Sequence, residues 1–234
     1  VADIRILSAG AAQAVVEAIA ADYRRDTGRG ISGEFGAVGA MRQKVLEGAA
    51  ADLIVLTGAM IDELVASGHV ARGSRADLGK VGTGVAVRSG TPVPDVSTPP
   101  KLRECLLRAS RVVCPDPAIA TAGKVVLQML EQLNAGEAVA PRLQYFPNGY
   151  AAMKWLAASR GSDEVGITQI TEILANAGVV LAAPLPGDLQ VRTVYAAGLA
   201  ARAAESAAAR EFLARLTSPA ARKVLVNAGY EFDN

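Results

Sequence analysis

The feature that most narrows what this chain can fold into is a regular exchange between two hydrophobic periods. "DIRILSA" is a short apolar run of strand type. Then Ala12, Val15, Ile19 and Tyr23 recur at helical spacing, and Gly28 supplies a stop. "GISGEFG" predicts a second strand, a helix follows from about Ala40 to Glu47, and "ADLIVLT" and "AMIDELVAS" repeat the pair, ending at Gly68. The strand "TGVAVR" leads into "SGTPVPDVSTPP", whose four prolines exclude regular structure. Beyond it come helix "KLRECLLRA", strand "RVVCPD", helix "AGKVVLQMLEQL", strand "RLQYF", helix "YAAMKWLAAS" and strand "EVGIT". "GVVLAAPL" and "VRTVYAAGLAA" read as further strands before two closing helices, the last with Ser218 as N-cap, Pro219 at its first position and Gly229 as stop. No internal repeat is visible. Short strands alternating with longer helices predict an α/β fold with mainly parallel sheets, and such sheets bind ligands beyond the carboxyl ends of their strands.

At 234 residues the chain suits one large domain or two lobes. Apolar residues make up 51%, but much of this is alanine, and no apolar run approaches the ~20 residues of a membrane span. A net charge of +1 with scattered charges argues against a nucleic-acid partner, and aromatics at 4% leave few stacking platforms. The single histidine, His69, sits in what reads as an exposed turn, and with Cys105 and Cys114 it builds no metal-ligand spacing; no metal and no cofactor are expected. Cys105 and Cys114 read as two buried thiols, with a disulfide as the alternative. The start "VADIRIL", without Met or an apolar leader, is that of an exported protein after signal-peptide removal, and equally that of a shortened chain.

Three strand-to-helix junctions carry unusually small residues: Ser8-Ala9-Gly10-Ala11, Gly36-Ala37-Val38-Gly39-Ala40 and Thr121-Ala122-Gly123. A fourth, Pro147-Asn148-Gly149-Tyr150, mixes a turn with polar side chains. Each leaves N–H groups without intrahelical partners at the positive end of a helix dipole, which suits an anion; short βα loops also favour small residues for their own sake. None is a phosphate loop, since "GAVGAM" lacks the Gly-Lys-Ser/Thr ending. Arg42 and Lys124 fall near the first turns of two helices, as solvated surface groups or as counter-charges. Gln169 and Thr171 follow a strand and should face the same crevice. Trp155 reads as core, Tyr150 as helix mouth and Glu172 as solvated, while Asp52, which precedes a buried strand, reads equally as a site group or as a cap on a neighbouring turn. No acid–base pair stands at a convincing spacing, which argues against a hydrolase.

The segments "LSAGAAQAVVEAIAADYRRDTG", "GEFGAVGAMRQKVLEGAAADLIVLT", "VVCPDPAIATAGKVVLQML", "EVGITQITEI" and "LTSPAARKVLVNAGYEF" resemble, in collinear order over nearly the whole chain, the molybdate-binding-like family of periplasmic solute-binding proteins. The resemblance implies two α/β lobes joined by two crossing strands, with residues 1–82 and 190–234 in lobe one and 83–189 in lobe two. It also implies a ligand in the interlobe cleft, export to the periplasm, and an ABC-type permease as partner; a monomer is expected. Molybdate binders of the family bring serine hydroxyls to the oxyanion where this chain has Gly10-Ala11 and Ala37-Val38-Gly39. Their third-loop alanine matches Ala122, their fourth-loop main-chain donor falls near Gly149, and their tyrosine falls at Gln169.

Loss of two hydroxyls and a phenol leaves a tetrahedral oxyanion short of donors. The expected ligand is therefore a small organic carboxylate, held by Ser8, Gly10, Ala11, Val38, Gly39, Arg42, Thr121, Ala122, Lys124, Asn148, Gly149, Tyr150 and Gln169. The alternative is a cofactor-independent isomerase. Bacterial aconitate isomerases resemble the same family and shift a proton along a tricarboxylic acid, for which Lys124, Asp116 and Glu172 are the candidate bases.

Overall fold

A computed structural model describes residues 2–233. In chain order, β1 (Ile4–Ala9) runs through a 3-10 turn (Gly10–Ala12) into α1 (Gln13–Thr27), followed by β2 (Ile31–Gly36), α2 (Val38–Leu46), β3 (Leu53–Thr57) and α3 (Gly58–Ala66). The long β4 (Ala76–Arg88) leads to α4 (Pro99–Arg108), β5 (Arg111–Pro115), α5 (Thr121–Gln132), the short α6 (Gly136–Val139), β6 (Leu143–Phe146) and α7 (Gly149–Ala158). Then come β7 (Glu164–Gln169), α8 (Ile170–Leu174), β8 (Val179–Pro184), β9 (Arg192–Leu199), α9 (Ser206–Leu216), α10 (Ala221–Asn227) and β10 (Tyr230–Glu231).

The chain divides into two compact units, one running to Val81 and resuming at Thr193, the other Gly82–Arg192. In the first unit the strand order is β2-β1-β3-β9. β1 lies parallel to β2 and β3, while β9 runs antiparallel to β3. Its core holds Ile4, Ile6, Leu53, Val55 and Leu56 from the strands and Val15, Val16, Ile19 and Tyr23 from the buried face of α1. Tyr23 meets Phe212 of α9 edge-on, with ring centroids 5.4 Å apart. In the second unit β5 lies parallel to β6 and β7, and the second half of β4 runs antiparallel to both β7 and β8. Val112 and Cys114 pack on one face of this sheet and Val113 on the other, so both faces are covered by helices. That double burial is why "RVVCP" reads as an unbroken apolar run.

Several boundaries differ from the sequence expectation, among them those of α4, β4 and α10. Pro99 and Pro100 begin α4 instead of lying in a loop, because a helix does not need the N–H of its first positions, and the Thr98 hydroxyl accepts from Lys101 N–H. β4 starts seven residues before "TGVAVR": Gly79, at φ +136°, lies against Glu231 and Phe232, so the glycine is a crossing point for β10 within the strand. α10 starts at Ala221, with Ala220 at its N-cap; Ser218 accepts Ala221 N–H across a preceding turn. Cys114 is buried and Cys105 half-buried, and both thiols are free.

Candidate functional site

The helices that follow parallel strands start at the carboxyl edge of each sheet. In the first unit, adjacent β1 and β2 deliver the Gly10 turn and the mouth of α2 side by side. In the second, β7, β5 and β6 lie in that order and deliver the mouths of α8, α5 and α7 in a row, spaced by the ~5 Å between neighbouring strands.

What distinguishes these mouths is whether the chain caps them. Ala9 and Ala12 around the Gly10 turn, Ala37 before α2 and Ala120 before α5 offer no side-chain cap, so first-turn N–H groups keep their capacity for an outside acceptor. At α3 and α7 the chain caps itself: Thr57 accepts from Met60 N–H, and Asn148 accepts from Ala151 N–H at 2.8 Å. α2 begins two residues earlier than expected, which puts Val38 and Gly39 in its first turn. Ser8 is buried, and its hydroxyl donates to Ala9 C=O at 3.0 Å. Ala11 C=O accepts from the Tyr230 hydroxyl. Arg42 is bound to Glu63 at 3.1 Å on the exposed side of α2, so its charge already has a partner.

In the second unit Thr121 is half-buried, Ala122 is buried and Lys124 is exposed. Gly123 is small for a reason internal to the fold: a Cβ there would collide with the main chain of Pro115 and Pro117, which crosses directly beneath. Asp116 closes that crossing by accepting Ala118 N–H at 2.8 Å. Half-buried Trp155 packs on Phe146, with the Arg111 guanidinium over its ring, and Tyr150 is half-buried in the first turn of α7.

Glu172 overturns its sequence reading. It is only 5% exposed, accepts the Thr168 hydroxyl at 2.5 Å, and takes the main-chain N–H groups of Gly149 and Gln169. Burial pushes its carboxyl up to about 7, against the three hydrogen bonds that favour ionisation. The Gly149 N–H expected to meet a ligand therefore serves Glu172, and a Cβ at Gly149 would fall inside that carboxylate. The mouth of α7 is filled by the chain itself. Of the two readings of Asp52 the cap is the one found: its carboxylate accepts Ala204 and Glu205 N–H and pairs with Arg5 at 3.0 Å. Burial raises its pKa, but these bonds outweigh it and hold the group well below the usual carboxylate range.

Next to Glu172 the pattern reverses. Gln169, 3% exposed, has neither its amide nitrogen nor its oxygen paired, and the hydroxyls of Thr171 (2% exposed) and Thr83 (0%) are also unpaired. Thr83 had no signal in the sequence beyond a lone hydroxyl in the glycine-flanked "VGTGV". A recess of about 550 Å³ lined by Val87, Lys101, Glu104, Arg108, Ser162 and Val165 lies at the amino ends of β5 and β7, the edge opposite to the helix mouths. Among the described residues no group of three His, Cys, Asp or Glu side chains could hold a metal ion, and no helix is long and apolar enough to cross a membrane.

Residues 4–231 match the family described as bacterial extracellular solute-binding protein. The chain belongs to this family. The fold of this solute-binding protein is also that of the periplasmic molybdate-binding protein of Azotobacter vinelandii, with a TM-score of 0.83 at 18% identity, covering 99% of this chain and 100% of that one. PEB3 bound to L-phospholactate superposes with a TM-score of 0.72 at 17% identity, covering 99% and 100% of the two chains. Aconitate isomerase of a Pseudomonas species is 27% identical over 243 aligned positions, 98% of this chain and 87% of its own. Its relatives in structure thus include proteins with an inorganic oxyanion and with an organic phosphate in their names.

Proposed function

We propose that this solute-binding protein captures a small organic carboxylate outside the cytoplasm and delivers it to an ABC-type permease. The observation that carries the reading is the set of uncapped helix mouths at Gly10, Val38 and Thr121, each preceded by alanine where a serine or threonine would have satisfied the N–H groups internally. Main-chain donors and helix dipoles of this kind favour an anion. The absence of hydroxyls at the Gly10 and Val38 turns is what favours a carboxylate over molybdate.

The test is a set of melting curves with molybdate, tungstate, sulfate, citrate, the aconitate isomers and simple dicarboxylates. A ligand that binds only the folded chain adds about 2.7 kcal/mol at a hundredfold excess over Kd. A carboxylate should raise the melting temperature by several degrees; a rise with molybdate or sulfate alone would overturn the reading.

A second reading, a proton-shifting isomerase of a tricarboxylic acid, is favoured by the aconitate isomerase relative, which aligns over 98% of this chain. Of its candidate bases, Asp116 is engaged in a turn and Glu172 is enclosed by hydrogen bonds, which leaves exposed Lys124 as the group with access to a substrate. Proton NMR in deuterium oxide with cis- or trans-aconitate decides between the two. Interconversion with deuterium incorporation, lost on Lys124→Ala, establishes the isomerase; an unchanged ligand establishes the receptor.

A further inference from the structure

We propose that Thr83, Gln169 and Thr171 form a polar recess that reads a hydroxyl group on the bound anion, so that the ligand class is a hydroxycarboxylic acid; this rests on the carboxylate reading above. Thr83 and Gln169 are cross-strand partners in the β4–β7 ladder. The main chain of Thr83 is engaged on its other side: its N–H donates to Gln190 Oε1 at 2.8 Å, and its carbonyl accepts from Gln190 Nε2 and Leu185 N–H. Relative to β7 this is the non-hydrogen-bonded kind of pair, the one in which facing side chains come closest. A Cβ on the next residue, Gly84, would strike Leu181 and Ile170, so Thr83 and Gln169 share the opposite face of the sheet. Thr171 follows two residues after Gln169, in the first turn of α8.

These four polar atoms are buried and bond to nothing in the protein. Native interiors rarely leave such groups bare, so an outside partner is called for. The donor inventory specifies that partner. The two hydroxyls and the amide nitrogen can donate, but Gln169 also carries a carbonyl oxygen that only accepts, and neither threonine hydroxyl is bonded to it. Molybdate and sulfate are acceptors throughout and would leave this oxygen bare. A ligand hydroxyl donates to it and accepts from a threonine or the amide in turn. A carboxylate on the same ligand would then be placed for the N–H groups of the uncapped α5 mouth, which follows the adjacent strand β5.

The experiment is isothermal titration calorimetry of the full chain with two matched pairs, L-malate against succinate and citrate against tricarballylate, which differ by one hydroxyl. At least one hydroxy acid should bind tenfold or more tightly than its partner. Thr83→Val or Gln169→Leu should bring that ratio to within threefold of one, and Thr83→Ser should keep it. Equal affinities within both pairs in the unaltered chain overturn the recess, whose atoms then hold only water, while the carboxylate reading stands. Binding of sulfate, molybdate or hydrogen phosphate with none of the four acids overturns both, as does binding of no probe at all. A Thr83→Val chain with an unchanged circular dichroism spectrum and an unchanged ratio removes Thr83 from the recess. If the variants do not fold, the ratios in the unaltered chain and in Thr83→Ser decide.

Discussion

Glu172 shows how a single side chain changes meaning between sequence and structure. In "ITQITEI" a glutamate on a short helix reads as solvent-facing, yet its oxygens hold together the start of α7 through Gly149 and the end of β7 through Thr168 and Gln169. Its carboxyl, raised to about 7 from an ordinary value of 4.5, keeps its proton in the folded state where the unfolded chain has lost it. The stability this gives is complete below pH 4.5 and is lost as pH rises through 7. A tenfold change in proton affinity is worth about 1.4 kcal/mol, so the contribution is roughly 3 kcal/mol. Glu172→Gln should flatten that dependence: urea midpoints of the two proteins, compared from pH 5 to pH 8, should converge or cross in favour of the variant as pH rises. A constant gap across this range would show that Glu172 titrates normally.

Among the helices, the contrast between the mouths of α5 and α7 separates stability from binding. α7 is capped by Asn148, and Asn148→Ala should cost about 1 kcal/mol of stability. On the reading proposed above, it should barely change ligand affinity. α5 follows Ala120, which has the extended backbone of an N-cap (φ −120°, ψ 136°) but no side chain able to accept. Ala120→Ser should therefore stabilise the free protein by about 0.5–1 kcal/mol and weaken binding, because the new hydroxyl occupies an N–H that the ligand uses. Melting curves with and without ligand measure both effects at once. A ligand-induced shift as large in Ala120→Ser as in the unaltered chain would place the anion elsewhere.

For the molecule as a whole, the first unit depends on residues far apart in the chain. β9 pairs with β3, Phe212 fills the space against Tyr23, and Asp52 accepts N–H groups from residues 204 and 205. The N-terminal stretch to Val81 thus borrows part of its core from the C-terminal stretch. Phe212→Ala removes a fully buried ring from that junction and should cost about 3–5 kcal/mol, read as a fall in the urea midpoint. A change below about 1 kcal/mol would mean that the C-terminal stretch is docked loosely.

Periodicity alone determined the alternation of strands and helices, because strand and helix spacings are properties of neighbouring residues: Val15, Ile19 and Tyr23 declare α1 without reference to anything else. The same local logic pointed to the small residues at Gly10, Val38 and Ala122. It failed wherever the partner of a residue is distant in the chain. Gly149 is small to admit a carboxylate 23 positions later, and Gly79 to accommodate β10. Which polar groups are left bare is likewise invisible in the sequence. Thr168 and Gln169 are adjacent and both polar, but alternation along β7 sends one toward Glu172 and the other to the face it shares with Thr83. The first is satisfied by Glu172, four residues on, whereas only the folded pairing of β4 with β7 places the second, unsatisfied, opposite Thr83.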